Sequence, residues 1–212
     1  DARRFLDLVR DDQRVSVILR SDGGLIAEAL KIGAEIRMRN FATMVPADSD
    51  CHSACGLIWV SGARRYMSKT SRIGFHAAYR TRNGQAQESG MGNAEIGSFL
   101  THLGLRIEAI RYFTVAAPDE IALLSPERAR ALGIDVFENN YGAMTTPNQA
   151  PTADSHADAF VSYSFLQARC TDALSVDKGA LAVGVRRAFD EGNRLVGPDK
   201  WIDLWTPMLD EV

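Results

Sequence analysis

Apolar positions along this chain switch between a period of two and a period near 3.6, and the switches mark out its elements. Phe5–Val9 followed by Asp11-Asp12-Gln13 predicts a short opening helix and a turn. Val15–Leu19 is apolar and branched like a buried strand. It stops at Arg20-Ser-Asp-Gly-Gly24, where two glycines allow a tight turn or a close backbone approach. Leu25–Arg39 carries Leu25, Ala29, Ile32 and Ile36 at helical spacing, with Gly33 as a weak point inside it. Phe41–Val45 predicts a short strand, and Ala54–Val60, apolar all round, a buried helix. Gly62–Tyr66 reads as a turn into a strand over Arg72–His76. Residues 80–93 are polar and glycine-rich, a loop or flexible ribbon. Ala94–Thr114 returns to helical spacing, and Ser125-Pro-Glu-Arg opens a further helix with an N-cap and a first-turn proline. Gly133 closes that helix before a strand over Ile134–Phe137.

Strands alternating with helices predict an α/β fold of βαβ units. Composition shifts at residues 145–155, rich in Thr, Pro, Ala and Asn, which reads as a linker. The expected organisation is a core over 1–144, the linker, and a helical appendage over 156–212. Apolar stripes there include Phe160, Tyr163 and Leu166, then Leu181, Val185 and Phe189, with Leu204, Trp201 and Trp205 near the end.

Charge and composition narrow the function classes. The 212 residues carry a net charge of −3, so nothing electrostatic points to nucleic acid or an anionic membrane. No apolar run approaches the roughly 20 residues that span a bilayer. The start, Asp-Ala-Arg-Arg-Phe, is not a signal peptide and lacks an initiator Met, so the chain reads as processed or trimmed, with a removed export signal as one explanation.

The chemistry-bearing stretch is Cys51-His-Ser-Ala-Cys55. A zinc site needs about four ligands, usually in two pairs, and Cys51, His52 and Cys55 have no second cluster, so no metal is expected. The cysteines have three readings: a local Cys51–Cys55 disulfide, a bridge from either to Cys170, or small buried thiols. Ser53 stands at a strand-to-helix transition with small neighbours. That suits an N-cap, and it equally suits a nucleophile whose adjacent amides are free to meet an oxyanion. His76, at the end of an apolar strand, reads as a core histidine or as the imidazole base that a serine nucleophile needs. His52 alternates away from Ser53 in an extended segment and is not read as catalytic; His102 and His156 carry no argument.

Four blocks in order resemble the Clp-type serine peptidases of the ClpP/crotonase superfamily. Leu19-Arg-Ser-Asp-Gly-Gly24 is similar to that family's Ser-Pro-Gly-Gly turn, and His52-Ser53-Ala54 stands in the place of its nucleophile motif. Gly62–Tyr66 with Ser71–His76 looks like its histidine strand, and Leu124–Asp135 like its closing helix and strand. The resemblance covers about residues 1–140, and the cysteines around the serine look most like an exported bacterial branch of ClpP-like proteins. It implies a ClpP/crotonase-like spiral of ββα units with a C-terminal helical appendage. It further implies Ser53 as nucleophile, His76 as general base, and the Gly24 and Ala54 amides as the oxyanion hole. A homo-oligomer acting on peptide or protein substrates follows, without a cofactor or nucleic acid. An ATPase partner is left open. Location is periplasmic or otherwise exported, with the cytoplasm as the alternative.

The chain departs from the pattern in two places. The register of the family's acid falls on Ile121, which carries no carboxyl, so the expected acid moves to Asp119, with Glu120 as its rival. Asp22 replaces the proline of the turn. These departures motivate a second reading, a catalytically weak or inactive peptide-binding or assembly module. Crotonase-like acyl-CoA chemistry is a third, disfavoured because that branch does without a nucleophilic serine.

Overall fold

Alternating strands and helices in the first half of the chain build two small sheets that meet a common apolar core. The computed structural model describes residues 1–139, 144–145, 152–154, 156–157, 160–161, 164 and 178–209. It divides into two units, Asp1–Val136 and Phe137–Val212.

In the first unit, helix α1 (Ala2–Leu8) precedes strand β1 (Ser16–Ile18), helix α2 (Ile26–Met38) and strand β2 (Ala42–Met44). Strand β3 (Asp50–His52) leads into helix α3 (Ala54–Val60), followed by β4 (Arg64–Met67) and β5 (Arg72–Phe75). β1, β2 and β4 pair in parallel, with Val17 beside Thr43 and Thr43 beside Arg65. β3 pairs in parallel with β5, placing His52 beside Gly74. The far edge of β5 takes β8 (Ala122–Leu124) antiparallel, with Phe75 opposite Ala122. Ser21, in the turn after β1, bridges to Cys51 and so carries the Gly-Gly turn to the edge of this second sheet.

The core forms where α3 lies against both sheets. Trp59, Val60, Ile73, Phe75, Leu100, Phe113 and Leu124 are all buried in it. Burying such a side chain contributes about 1.5–3 kcal/mol each. Phe75 packs on Phe113 with ring centroids 3.8 Å apart, fixing the end of β5 against the helical layer. Of the predicted apolar face of α2, Ala29, Ile32 and Ile36 are buried, whereas Leu25 is the N-cap residue and exposed.

Several elements differ from the sequence expectation. Gly62–Tyr66 is not simply a turn, because Arg64–Met67 is strand β4. Its Arg65 is 7 % exposed and donates to the Val60 carbonyl at 2.6 Å. Residues 80–93, expected as a loop or flexible ribbon, hold a two-stranded hairpin and the start of a helix. Strands β6 (Tyr79–Arg82) and β7 (Gln85–Glu88) form a wholly exposed hairpin around Asn83-Gly84, both at positive φ, and helix α4 (Gly90–His102) begins directly after it. The expected helix over Ala94–Thr114 breaks at Gly104, with φ 79°, into α4 and α5 (Ile107–Tyr112). Helix α6 (Pro126–Ala131) starts at its Ser125 cap, whose Oγ accepts from Arg128 N–H.

In the second unit, β9 (Phe137–Asn139) and β10 (Met144–Thr145) form an antiparallel pair. Helices α7 (Lys178–Val196) and α8 (Pro198–Leu209) follow. Trp201 is 1 % exposed among Phe160 and Phe189, so the aromatic stripe of this region is a local core. Most of the linker over 145–155, together with Tyr163, Leu166 and Cys170, lies outside the described residues.

Candidate active site

The site grows from the end of β3. Asp50 and His52 alternate with the buried Cys51, and the chain must then turn sharply to enter α3. Ser53 makes that turn with φ 55° and ψ −122°, a left-handed conformation costing a non-glycine residue about 1–3 kcal/mol. Such a strained strand-to-helix residue is held only where its surroundings over-determine it, and it lifts the side chain clear of both elements. Three things hold it. Ser53 N–H donates to the Gly74 carbonyl at 2.8 Å, extending the β3–β5 ladder by one rung. Gly56 N–H donates to the Ser53 carbonyl at 2.9 Å. A disulfide joins Cys51 to Cys55 across the turn, with Cα atoms 5.1 Å apart and both residues buried. Both sulfurs are consumed by that bond, so neither is a thiolate ligand for a metal.

Ser53 does not cap α3: its side chain makes no hydrogen bond to the helix. Its Oγ faces the Gly23-Gly24 turn instead. A methyl group at Gly23, where φ is 115°, would stand 2.8 Å from Ser53 Cβ and 3.4 Å from its Oγ. The amides of Ala54, first residue of α3, and of Gly24 make no hydrogen bond. Open backbone donors beside a serine hydroxyl are what an oxyanion requires; the Ala54 amide directly follows Ser53, and the Gly23 contact brings the Gly23-Gly24 turn against it.

His76 follows β5 as Ser53 follows β3, so both sit beyond the carboxyl ends of two adjacent parallel strands. No hydrogen bond joins Ser53 Oγ to the imidazole. His76 Nδ1 lies 2.8 Å from the Ala77 carbonyl oxygen. A carbonyl only accepts, so Nδ1 is the donor here, and in the neutral imidazole that leaves the lone pair on Nε2. The Tyr79 ring stands beside the imidazole, centroids 5.5 Å apart.

The expected acid is not beside this histidine. Asp119 and Glu120 are exposed, and neither carboxylate is hydrogen-bonded or ion-paired to His76. The β5–β8 register, continued by one residue, sets Ile121 opposite His76, and the Ile121 side chain folds over Gly74.

His52 turns to the same side, its Cδ2 3.2 Å from where a Gly74 methyl would be. Its Nε2 stands 3.5 Å from Asp50 Oδ1 without a hydrogen bond. Asp50 is itself held by Arg72, Nε–Oδ1 2.6 Å and Nη2–Oδ2 2.8 Å. That bidentate guanidinium pulls the Asp50 carboxyl below the usual carboxylate range.

No family model and no curated protein matches this chain. Two solved structures similar to it are variants of the 1510-N membrane-bound stomatin-specific protease. One, a serine-to-alanine mutant, is 18% identical at a TM-score of 0.48 and covers 62% of this chain and 68% of its own. The other, a lysine-to-alanine mutant in complex with a substrate peptide, is 17% identical at a TM-score of 0.47, covering 62% and 64%.

Proposed function

We propose that this chain is a ClpP-like serine hydrolase that cleaves peptides through an acyl-enzyme on Ser53. The observation that carries the reading is the strained Ser53 turn, flanked by the unbonded Gly24 and Ala54 amides and facing the same sheet end as His76. In the reaction, His76 Nε2 takes the hydroxyl proton as Ser53 Oγ attacks the carbonyl carbon, and the developing oxyanion sits on the two amides. His76 then returns the proton to the leaving amine, and water activated by the same nitrogen releases the acid. Each oxyanion donor is worth about 3–4 kcal/mol of barrier. The Cys51–Cys55 disulfide favours an oxidising, exported location, and peptide or protein substrates handled by a homo-oligomer complete the reading.

The test is peptide hydrolysis by the wild type against Ser53→Ala and His76→Ala. Both variants should lose turnover by about 10³-fold or more while keeping the wild-type melting temperature. Unchanged hydrolysis in Ser53→Ala ends the proposal.

A second reading has its own support. Ser53 and His76 share no hydrogen bond, and the exposed β6–β7 hairpin near His76 has outer strand edges that no other described strand pairs with. A non-catalytic module would take an extended peptide along such an edge. It predicts peptide binding by wild type and Ser53→Ala alike, with no turnover by either.

A further inference from the structure

The acid that a serine–histidine pair ordinarily has is absent from His76, yet its Nδ1 is not left to solvent. The carbonyl it meets belongs to the Ala77–Ala78 peptide, whose N–H is Ala78's own amide. That amide donates to Asn93 Oδ1 at 2.7 Å. Asn93 Nδ2 in turn donates to Glu88 Oε1 at 2.7 Å. The assignment of oxygen and nitrogen on Asn93 is fixed by its partners, since an N–H needs an acceptor and a carboxylate needs a donor.

Four groups are thus strung in one direction: His76 Nδ1–H to a peptide carbonyl, that peptide's N–H to a side-chain amide oxygen, and that amide's NH₂ to a carboxylate. Each link polarises the next in the same sense, so negative charge at Glu88 strengthens acceptance at the Ala77 oxygen. The scaffold keeps the peptide plane from rotating. Ala77 N–H donates to the Ala116 carbonyl at 2.8 Å, and the Ala78 carbonyl accepts from Ser89 N–H at 2.6 Å. Ala77 and Ala78 are both buried, and a methyl at Gly92 would stand 2.7 Å from Ala78 Cβ, so α4 lies directly on this segment. Asn93 itself is anchored in the first turn of α4, where its N–H donates to the Ser89 carbonyl at 2.9 Å.

We propose that Asn93 is the positioning residue of this site, holding the Ala77–Ala78 peptide so that its carbonyl fixes the His76 tautomer in place of a triad carboxylate, with Glu88 as the charged end of the relay. The inference rests on His76 being the base of the hydrolase proposed above. Glu88 is exposed and solvent competes for it, so its share is the smaller one. The contribution of Asn93 is the larger, because without its oxygen the N–H of a buried residue has no acceptor and the peptide loses the bond that polarises its carbonyl.

The experiment combines steady-state hydrolysis with ¹⁵N NMR of the imidazoles, His76 being assigned by comparison with His76→Ala. In the wild type His76 should be the Nδ1–H tautomer with a slowly exchanging proton. Asn93→Leu should lose that signature and lower kcat by about 10- to 100-fold with KM little changed, part of the gain general-base catalysis supplies. The paired exchange Asn93→Asp with Glu88→Gln keeps an acceptor for Ala78 N–H and a donor between the two side chains, so it should restore tautomer and most of kcat. An Nε2–H tautomer in the wild type, or an Asn93→Leu protein with unaltered tautomer, overturns the relay, as does Asp119→Asn lowering kcat as far as Asn93→Leu. An Asn93-dependent Nδ1–H tautomer in a protein whose Ser53→Ala form hydrolyses normally would leave the relay standing and remove the hydrolase reading instead.

Discussion

Gly23 packs against Ser53 so closely that the smallest side chain at Gly23 would stand 2.8 Å from Ser53 Cβ and 3.0 Å from the His52 carbonyl oxygen. The contact couples the Gly23-Gly24 turn after β1 to the strained turn after β3, and it links a backbone preference to the placement of the hydroxyl. Gly23→Ala should therefore act twice, through the positive φ of 115° and through displacement of Ser53. The expected result is a loss of about 1–3 kcal/mol in stability together with loss of turnover. Urea denaturation and hydrolysis of the same preparation measure both, and an active, fully stable Gly23→Ala would show that the contact is dispensable.

The disulfide closes a loop of sequence separation 4, so its entropic contribution is modest, about 2 kcal/mol. Cys51→Ala with Cys55→Ala should lower stability by that order and reduce turnover further than stability accounts for, because the turn between them carries Ser53. Thiol titration of the denatured, non-reduced protein should find at most one of the three cysteines reactive. Three reactive thiols would contradict the bridge.

Asp50 gives a pH dependence of known sign. Its folded carboxyl is held below its unfolded value by Arg72, so the pair stabilises the fold above the unfolded range, about pH 4, and the contribution is lost as pH falls through the folded value. Asp50→Asn should lower the melting temperature at pH 7 and flatten its decline in acid. Equal acid slopes in wild type and variant would count against the assignment. The effect is small, since both side chains are partly exposed.

α3 crosses β5 where Gly56 meets the Phe75 ring, with no room for a methyl between them. Gly56→Ala should cost about 1–3 kcal/mol by overpacking despite the better helix propensity of alanine. Chemical denaturation measures it, and a more stable variant would mean that the ring yields freely.

The parts of this architecture that were legible from residues alone are those with a strong period. α2 and α3 show their buried faces in the spacing of Ile32 and Ile36 and in the unbroken Leu57–Val60 run, while the branched run around β1 marks a strand that is only half-buried. Short polar strands were not legible. β3 is Asp-Cys-His, and it exists because parallel pairing with β5 overrides a sequence that looks like a turn. Gly62–Tyr66 reads as a turn, yet Arg64–Met67 is strand β4, where burial holds the Arg65 guanidinium against the Val60 carbonyl and lowers its pKa to about 10. The Asn83-Gly84 pair is a strong hairpin signal, hidden by flanking strands with no apolar face. At the site, Gly24, Ser53 and His76 stood out as an ordered set. Asn93 did not, because its importance lies in a peptide group it orients, and peptide groups leave no mark in a sequence.

Covalent capture shows whether Ser53 Oγ is a nucleophile. The folded protein is incubated with a fluorophosphonate, and the adduct is located by mass spectrometry of its peptides. One adduct is expected, on Ser53, absent from Ser53→Ala and formed about 10²-fold or more slowly in His76→Ala. No adduct on Ser53 in folded protein, or one formed as fast without His76, would contradict that role.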